Sequence, residues 1–169
     1  MPNPFGLTAG QTPNADTAEY WVNFFAVPKP HPDFKEYSGK WTPEQGLVTV
    51  AAYSKTFDED AAGYGARRLY DRLKNQLSSV YGSSRSAEFI EDDALWSDHD
   101  EFVRSILTDE RCHFTQWSPD HGSRLDAEIK EINLSIVAES DEAAKVMIRY
   151  EFTNNALAGP GMSVGLSSL

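Results

Sequence analysis

The sequence predicts an α+β domain in which antiparallel strands pack against helices. Three observations carry this expectation. Ile132, Leu134 and Ile136 recur at every second residue, as do Val146, Ile148, Tyr150 and Phe152. That is the period of strands with one buried face. Leu69, Leu73, Leu77 and Val80 fall on one helical face between about Tyr64 and Tyr81, with Arg67, Arg68, Arg72 and Lys74 largely outside it. Short turn-forming segments separate the strand runs, as hairpins require, so helices and antiparallel hairpins form layers of one domain.

The elements follow in order. Thr12-Pro13 reads as a helix start, Thr12 as the cap and Pro13 in the first turn, with the helix ending near Glu19. Tyr20 to Val27 is aromatic and β-branched, hence a strand. Pro28-Lys29-Pro30-His31-Pro32 removes three backbone donors in five residues and must be an extended loop. Phe34 to Trp41 and Leu47 to Phe57 form a strand pair turned by Thr42-Pro43-Glu44-Gln45-Gly46. Gly63-Tyr64-Gly65 opens the long helix. It resembles a phosphate loop only in outline, since the lysine of such a loop is missing; a tight turn that needs unusual φ explains it better. Gly82 ends that helix.

Ser83 to Leu95 reads as a polar connection anchored by Phe89, Ile90 and Leu95. Asp98 with Glu101 three residues on forms a capping box for a second helix, whose apolar face is Phe102, Val103, Ile106 and Leu107. Arg111 to Trp117 is a strand, Ser118 to Ser123 a turn, and Glu139 to Glu142 the hairpin between the last two strands. The expected order divides into two α-β-β-β halves. Residues 1–153 make one domain, and 154–169, rich in Gly, Ser and Ala, a flexible tail.

Bulk properties narrow the function. The chain has 169 residues and a net charge of −11. Such acidity disfavours nucleic acid and anionic membranes, both of which need a basic footprint, and favours a basic protein partner. No run approaches the ~18 apolar residues of a membrane span. Met1 to Gly10 lacks the basic start and apolar stretch of a signal peptide, and the single Cys112 forms no internal disulfide. Together these place the protein in the cytoplasm.

No catalytic set emerges. His31, His99, His113 and His121 lie at no ligand spacing, so no metal and no cofactor is expected, and His113 reads as a strand surface residue. Cys112 and His113, adjacent on a strand, point to opposite faces and do not pair; Cys112 is a structural thiol. The densest feature is acidic: Glu91, Asp92 and Asp93, then Asp98, Asp100 and Glu101, with Trp96 between them as an aromatic anchor. This segment is the candidate partner-binding site. A solvated loop and the negative first turn of a helix account for the same charges.

Several stretches carry a family resemblance: Asn3-Pro4-Phe5-Gly6-Leu7, Pro28 to Phe34, Gly46-Leu47 leading to Ala52-Tyr53-Ser54-Lys55, and Gly63-Tyr64-Gly65. Tyr81-Gly82, Leu95-Trp96, Glu110-Arg111, Trp117 and Tyr150-Glu151-Phe152 followed by Asn154 or Asn155 continue it. Over most of its length the chain resembles a family of small uncharacterised bacterial proteins. After Asn155, Gly159-Pro160-Gly161 departs from the charged tails of that family. The resemblance implies no activity and no catalytic residue. Small size, acidity and ample aromatics point to a non-enzymatic protein-binding module, in its most specific form an immunity-type protein that neutralises a bacterial toxin. The alternatives are an enzyme or small-ligand-binding domain with an unmotifed site, and a phage-derived or structural accessory protein.

Overall fold

A computed structural model describes residues 4–12 and 21–154. The helix expected from Thr12 to Glu19 and the tail beyond Asn154 lie outside the described residues. Among the described residues, seven strands form one antiparallel sheet: β1 (Trp21–Phe24), β2 (Phe34–Thr42), β3 (Gly46–Ser54), β4 (Arg85–Ile90), β5 (Arg111–Trp117), β6 (Ile129–Ala138) and β7 (Ala144–Phe152). Their order across the sheet is β1-β2-β3-β7-β6-β5-β4. The α-helices among the described residues, α1 (Tyr64–Tyr81) and α2 (Phe102–Leu107), connect β3 to β4 and β4 to β5. The sheet dominates, and the helices are additions to it.

Two equal halves are not present among the described residues, because the second half has four strands. The extra one is β4, in the segment expected to be a polar connection. Its burial is slight, with Arg85, Ser86, Glu88 and Phe89 exposed. An edge strand pairs on one side only, so its sequence need not show the apolar alternation that marks an inner strand. The anchors expected there also fail: Phe89 and Leu95 are exposed.

Residues directly opposite one another in an antiparallel sheet share a face. One face carries the rows Val50, Tyr150, Ile132, Trp117 and Ala52, Ile148, Leu134, Thr115. Both helices cover it. Tyr70 of α1 shares a hydroxyl hydrogen bond of 2.6 Å with Thr115, and Phe102 of α2 sets its ring against His113, two residues away on β5. From α1, Ala66, Leu69, Tyr70, Leu73 and Tyr81 are buried, whereas Val80, expected on the apolar face, is exposed. No helix among the described residues is long and apolar enough to cross a membrane.

The opposite face carries Thr49, Glu151 and Glu131, then Ala51, Arg149, Asn133 and Gln116, then Tyr53, Met147, Ser135 and Phe114. This polar face is nevertheless buried at Thr49, Glu131, Asn133, Arg149 and Glu151.

The ladder between β5 and β6 is incomplete. It runs only from Phe114–Ser135 to Trp117–Ile132. Residues 111–113 pair with β4 alone and 136–138 with β7 alone. Arg111 explains the departure. Its Nε donates to Ser105 Oγ at 2.8 Å and its guanidinium lies 4.8 Å from the Phe102 ring centre, so the start of β5 is tied to α2.

Candidate functional site

A cavity of about 510 Å³ opens where β5 leaves β6. From the helix side, Ile106, Leu107, Asp109, Arg111, His113, Ile136 and Ala138 border it; from the other face, Cys112, Phe114, Asn133, Ser135, Val137, Met147 and Arg149 do. Its walls mix apolar side chains with polar and charged ones, so a ligand there would meet both kinds of surface.

Arg149 is the unusual member. It is 3% exposed, and its Nε lies 3.5 Å from Glu151 Oε1, an ion pair outside hydrogen-bond geometry. Its Nε and Nη1 have no hydrogen-bond partner. Burial pulls its pKa down, against the opposing pull of the Glu151 and Glu131 carboxylates. Those carboxylates have other donors: Thr49 Oγ1 donates to Glu151 at 3.1 Å and Asn133 Nδ2 to Glu131 at 2.7 Å. A buried donor without an acceptor costs about 1–3 kcal/mol, and more on a charged group. Arg149 thus borders the cavity while two of its nitrogens, buried beneath that border, lack an acceptor.

His113, expected at the surface, is half-buried between Tyr70 and Phe102, with ring centres 4.6 and 5.4 Å away. The helices reach past the sheet's centre to cover β5, which its mixed sequence does not reveal. Burial pushes the His113 pKa down to about 4, only partly offset by the Glu88 carboxylate, so the ring is neutral at pH 7. Around it runs a polar chain. Tyr70 donates to Glu88 at 2.8 Å, Lys74 pairs with Glu88 at 3.0 Å, and Ser86 and Thr115 share a bond of 2.8 Å. The Cys112 thiol is held above its ordinary pKa, first by burial and then by Glu91 and Asp109. A raised thiol pKa removes the thiolate a nucleophile needs. Register also sets Cys112 and His113 on opposite faces.

The acidic segment divides in two. Glu91, Asp92 and Asp93 stand exposed in the turn after β4, where the Ala94 amide donates to the Glu91 carbonyl at 3.2 Å. Asp98, Asp100 and Glu101 come together, with carboxylate oxygens within 4.8 Å of one another. Asp98 makes no side-chain cap; it precedes a 3-10 turn (His99–Glu101), so the expected capping box does not form. The three carboxylates border a depression with Arg104, Asp141 and Glu142, about 370 Å³ in volume. Trp96 is half-buried, with the Arg104 guanidinium 4.4 Å from its ring centre, and Arg104 pairs with Asp141 at 2.5 Å. Asp98, Asp100 and Glu101 could hold a cation, but exposed acidic groups gather in this way without one.

Sequence reasoning missed Arg149, Asn133 and Ser135. The available signal was the charge repeated at Glu131 on β6 and at Arg149 and Glu151 on β7, alternating with apolar residues. That pattern reads as a solvent face. Compared with known protein families, curated proteins and solved structures, the chain matches none.

Proposed function

We propose that the protein is a small-ligand-binding domain whose site is the cavity at the β5–β6 opening. The observation that carries this is the buried Arg149 guanidinium bordering that cavity with two N–H-bearing nitrogens unpartnered. A folded domain of ordinary stability keeps such donors when something else supplies the acceptor. The reading is of binding rather than catalysis, because the thiol and the imidazole beside the cavity are tuned away from nucleophile and base. A thermal-shift screen of small metabolites tests it. At least one compound class should raise Tm in the parent and fail to do so in Met147→Trp, which narrows the cavity beside Arg149. A screen in which Met147→Trp responds like the parent overturns it.

A second reading keeps the acidic segment as a docking site for a basic protein in the cytoplasm, as in an immunity-type protein that neutralises a toxin. What favours it is that Asp98, Asp100, Glu101, Asp141 and Glu142 border one depression beside a Trp96 steadied by Arg104. Exposed charges steer encounter and are screened by salt. Neutralising Asp98, Asp100 and Glu101 should then slow association with a captured basic partner at low salt and have little effect at high salt. An unchanged on-rate at low salt removes the segment from the interface.

A further inference from the structure

We propose that the cavity takes an uncharged molecule that presents a carbonyl oxygen to Arg149, and that Glu131 and Glu151 exclude its carboxylate analogue. This rests on the reading of the cavity as a ligand site. An arginine on the border of a cavity ordinarily suggests an anion. Here the charge around it argues otherwise. Glu131 and Glu151 are both buried and both act electrostatically on Arg149. One buried cation already faces two buried carboxylates.

An incoming carboxylate would bring a third negative charge into the same low-dielectric region, where like charges are strongly unfavourable. The second arginine does not compensate. Arg111 shares the helix-covered face with His113 and Thr115, and Ser105 and Phe102 hold it there. Arg149 belongs to the opposite face. A carbonyl oxygen, by contrast, accepts from the part of the guanidinium that borders the cavity and adds no charge. The two glutamates have their own donors in Asn133 and Thr49, so the Arg149 N–H groups are free to be shared without leaving either carboxylate bare.

The rest of the ligand is set by the walls on the Arg149 side. Met147 and Phe114 share one row across the sheet, and Val137 follows Ser135 on the same face of β6. These three apolar side chains fit a short acyl or alkyl body, with Arg149, Asn133 and Ser135 on the same face for its polar end. The class is therefore an amide, ketone or ester with an apolar chain.

Three probes of matched length separate the possibilities: octanamide, octanoate and octylamine, titrated calorimetrically at neutral pH. Octanamide should bind the parent, and octanoate at least about tenfold more weakly, because the polar group of the site rejects the wrong charge. Glu151→Gln should narrow that ratio by improving octanoate binding. Met147→Trp should abolish octanamide binding while its circular dichroism stays that of the parent. If octanoate or octylamine binds as tightly as octanamide and Met147→Trp blocks it, the inference is overturned and the cavity reading stands. If none of the three binds, the inference is overturned, and the metabolite screen with Met147→Trp decides the cavity reading by itself. Should Glu151→Gln fail to fold, the ratio measured on the parent still decides.

Discussion

Arg149 and Glu151 lie two residues apart on β7, on the same face, with Nε 3.5 Å from Oε1, and each is 3% exposed. A pair so deeply buried is expensive to form and more expensive to break, because the survivor is left as an uncompensated charge. Arg149→Leu should therefore destabilise by about 3–5 kcal/mol. The double variant Arg149→Leu/Glu151→Leu should recover part of that loss, since it removes both charges. Urea melts of the two single variants and the double variant give the coupling. A single-variant loss below about 1 kcal/mol would mean that water reaches the pair.

His113 should make the fold sensitive to mild acid. Its folded pKa, pushed down to about 4 by burial, lies below the ~6.5 of an exposed histidine. Between those values the unfolded chain binds the proton and the folded chain does not. Stability must then fall as pH drops from about 6.5 to about 4, by a total of about 3 kcal/mol. The groups facing the ring are Glu88, Asp71, Arg67 and Arg111, and their opposing pulls leave burial as the main cause. Glu88 titrates in a lower window. Burial acts to raise it, but donors from Tyr70 and Lys74 outweigh that and hold it below the usual carboxylate range. Its own contribution is present above the ordinary carboxylate pKa and fades only as pH falls through the depressed value. Melts from pH 7 to 4.5 should show a steep loss in the parent and a shallow one in His113→Gln.

The elements that could be read from the sequence share one property: their burial is one-sided and regular. α1, β6 and β7 announce themselves through Leu69 and Leu73, Ile132 and Leu134, Ile148 and Tyr150, because each lays one face on a common core. β4 escapes because an edge strand has little to bury. The cavity escapes for a different reason. Glu131, Asn133, Arg149 and Glu151 alternate with apolar residues just as a solvated face would, and no local pattern distinguishes polar-and-exposed from polar-and-buried. Nor does β5 reveal that it joins β6 only from Phe114 onward, since its start is drawn away by Arg111 reaching Ser105 across the chain. The acidic segment was visible as composition, but its grouping was not. The 3-10 turn after Asp98 gathers Asp98, Asp100 and Glu101 and leaves Glu91 to Asp93 in a separate turn.

Leu73 tests how α1 is held. It is buried against the sheet in the second half of the helix and belongs to the main core. Leu73→Ala removes side-chain contacts and leaves a void that a continuous sheet cannot close. The expected cost is about 2–5 kcal/mol. Leu77 is only partly buried on the same core, so Leu77→Ala should cost clearly less. A urea-measured change under about 0.5 kcal/mol at Leu73 would show that the helix does not depend on this face.

The last prediction concerns the junction of the two helices. Gly63 stands immediately before α1 with φ +69°. Side chains rarely adopt that conformation, and a Cβ there would lie 2.7 Å from Cδ1 and 3.1 Å from Cε1 of Phe102. Phe102 is the ring against which Arg67 and Arg111 stack, at 4.6 and 4.8 Å, and which packs on His113. A methyl group at residue 63 would therefore push on the same side chain that ties β5 to α2. Gly63→Ala should cost the backbone strain plus overpacking, about 2–4 kcal/mol in all. Gly122 supplies the comparison. It follows the 3-10 turn Pro119–His121 in the same left-handed region, with φ +82°, but a Cβ there meets nothing nearer than Ser83 at 3.5 Å, an ordinary contact. Gly122→Ala should cost the strain alone, about 1–2 kcal/mol. Urea melts of both variants decide between the two accounts. A Gly63 loss no larger than the Gly122 loss would mean that Phe102 yields easily, and that the opening between β5 and β6 is not held by this contact.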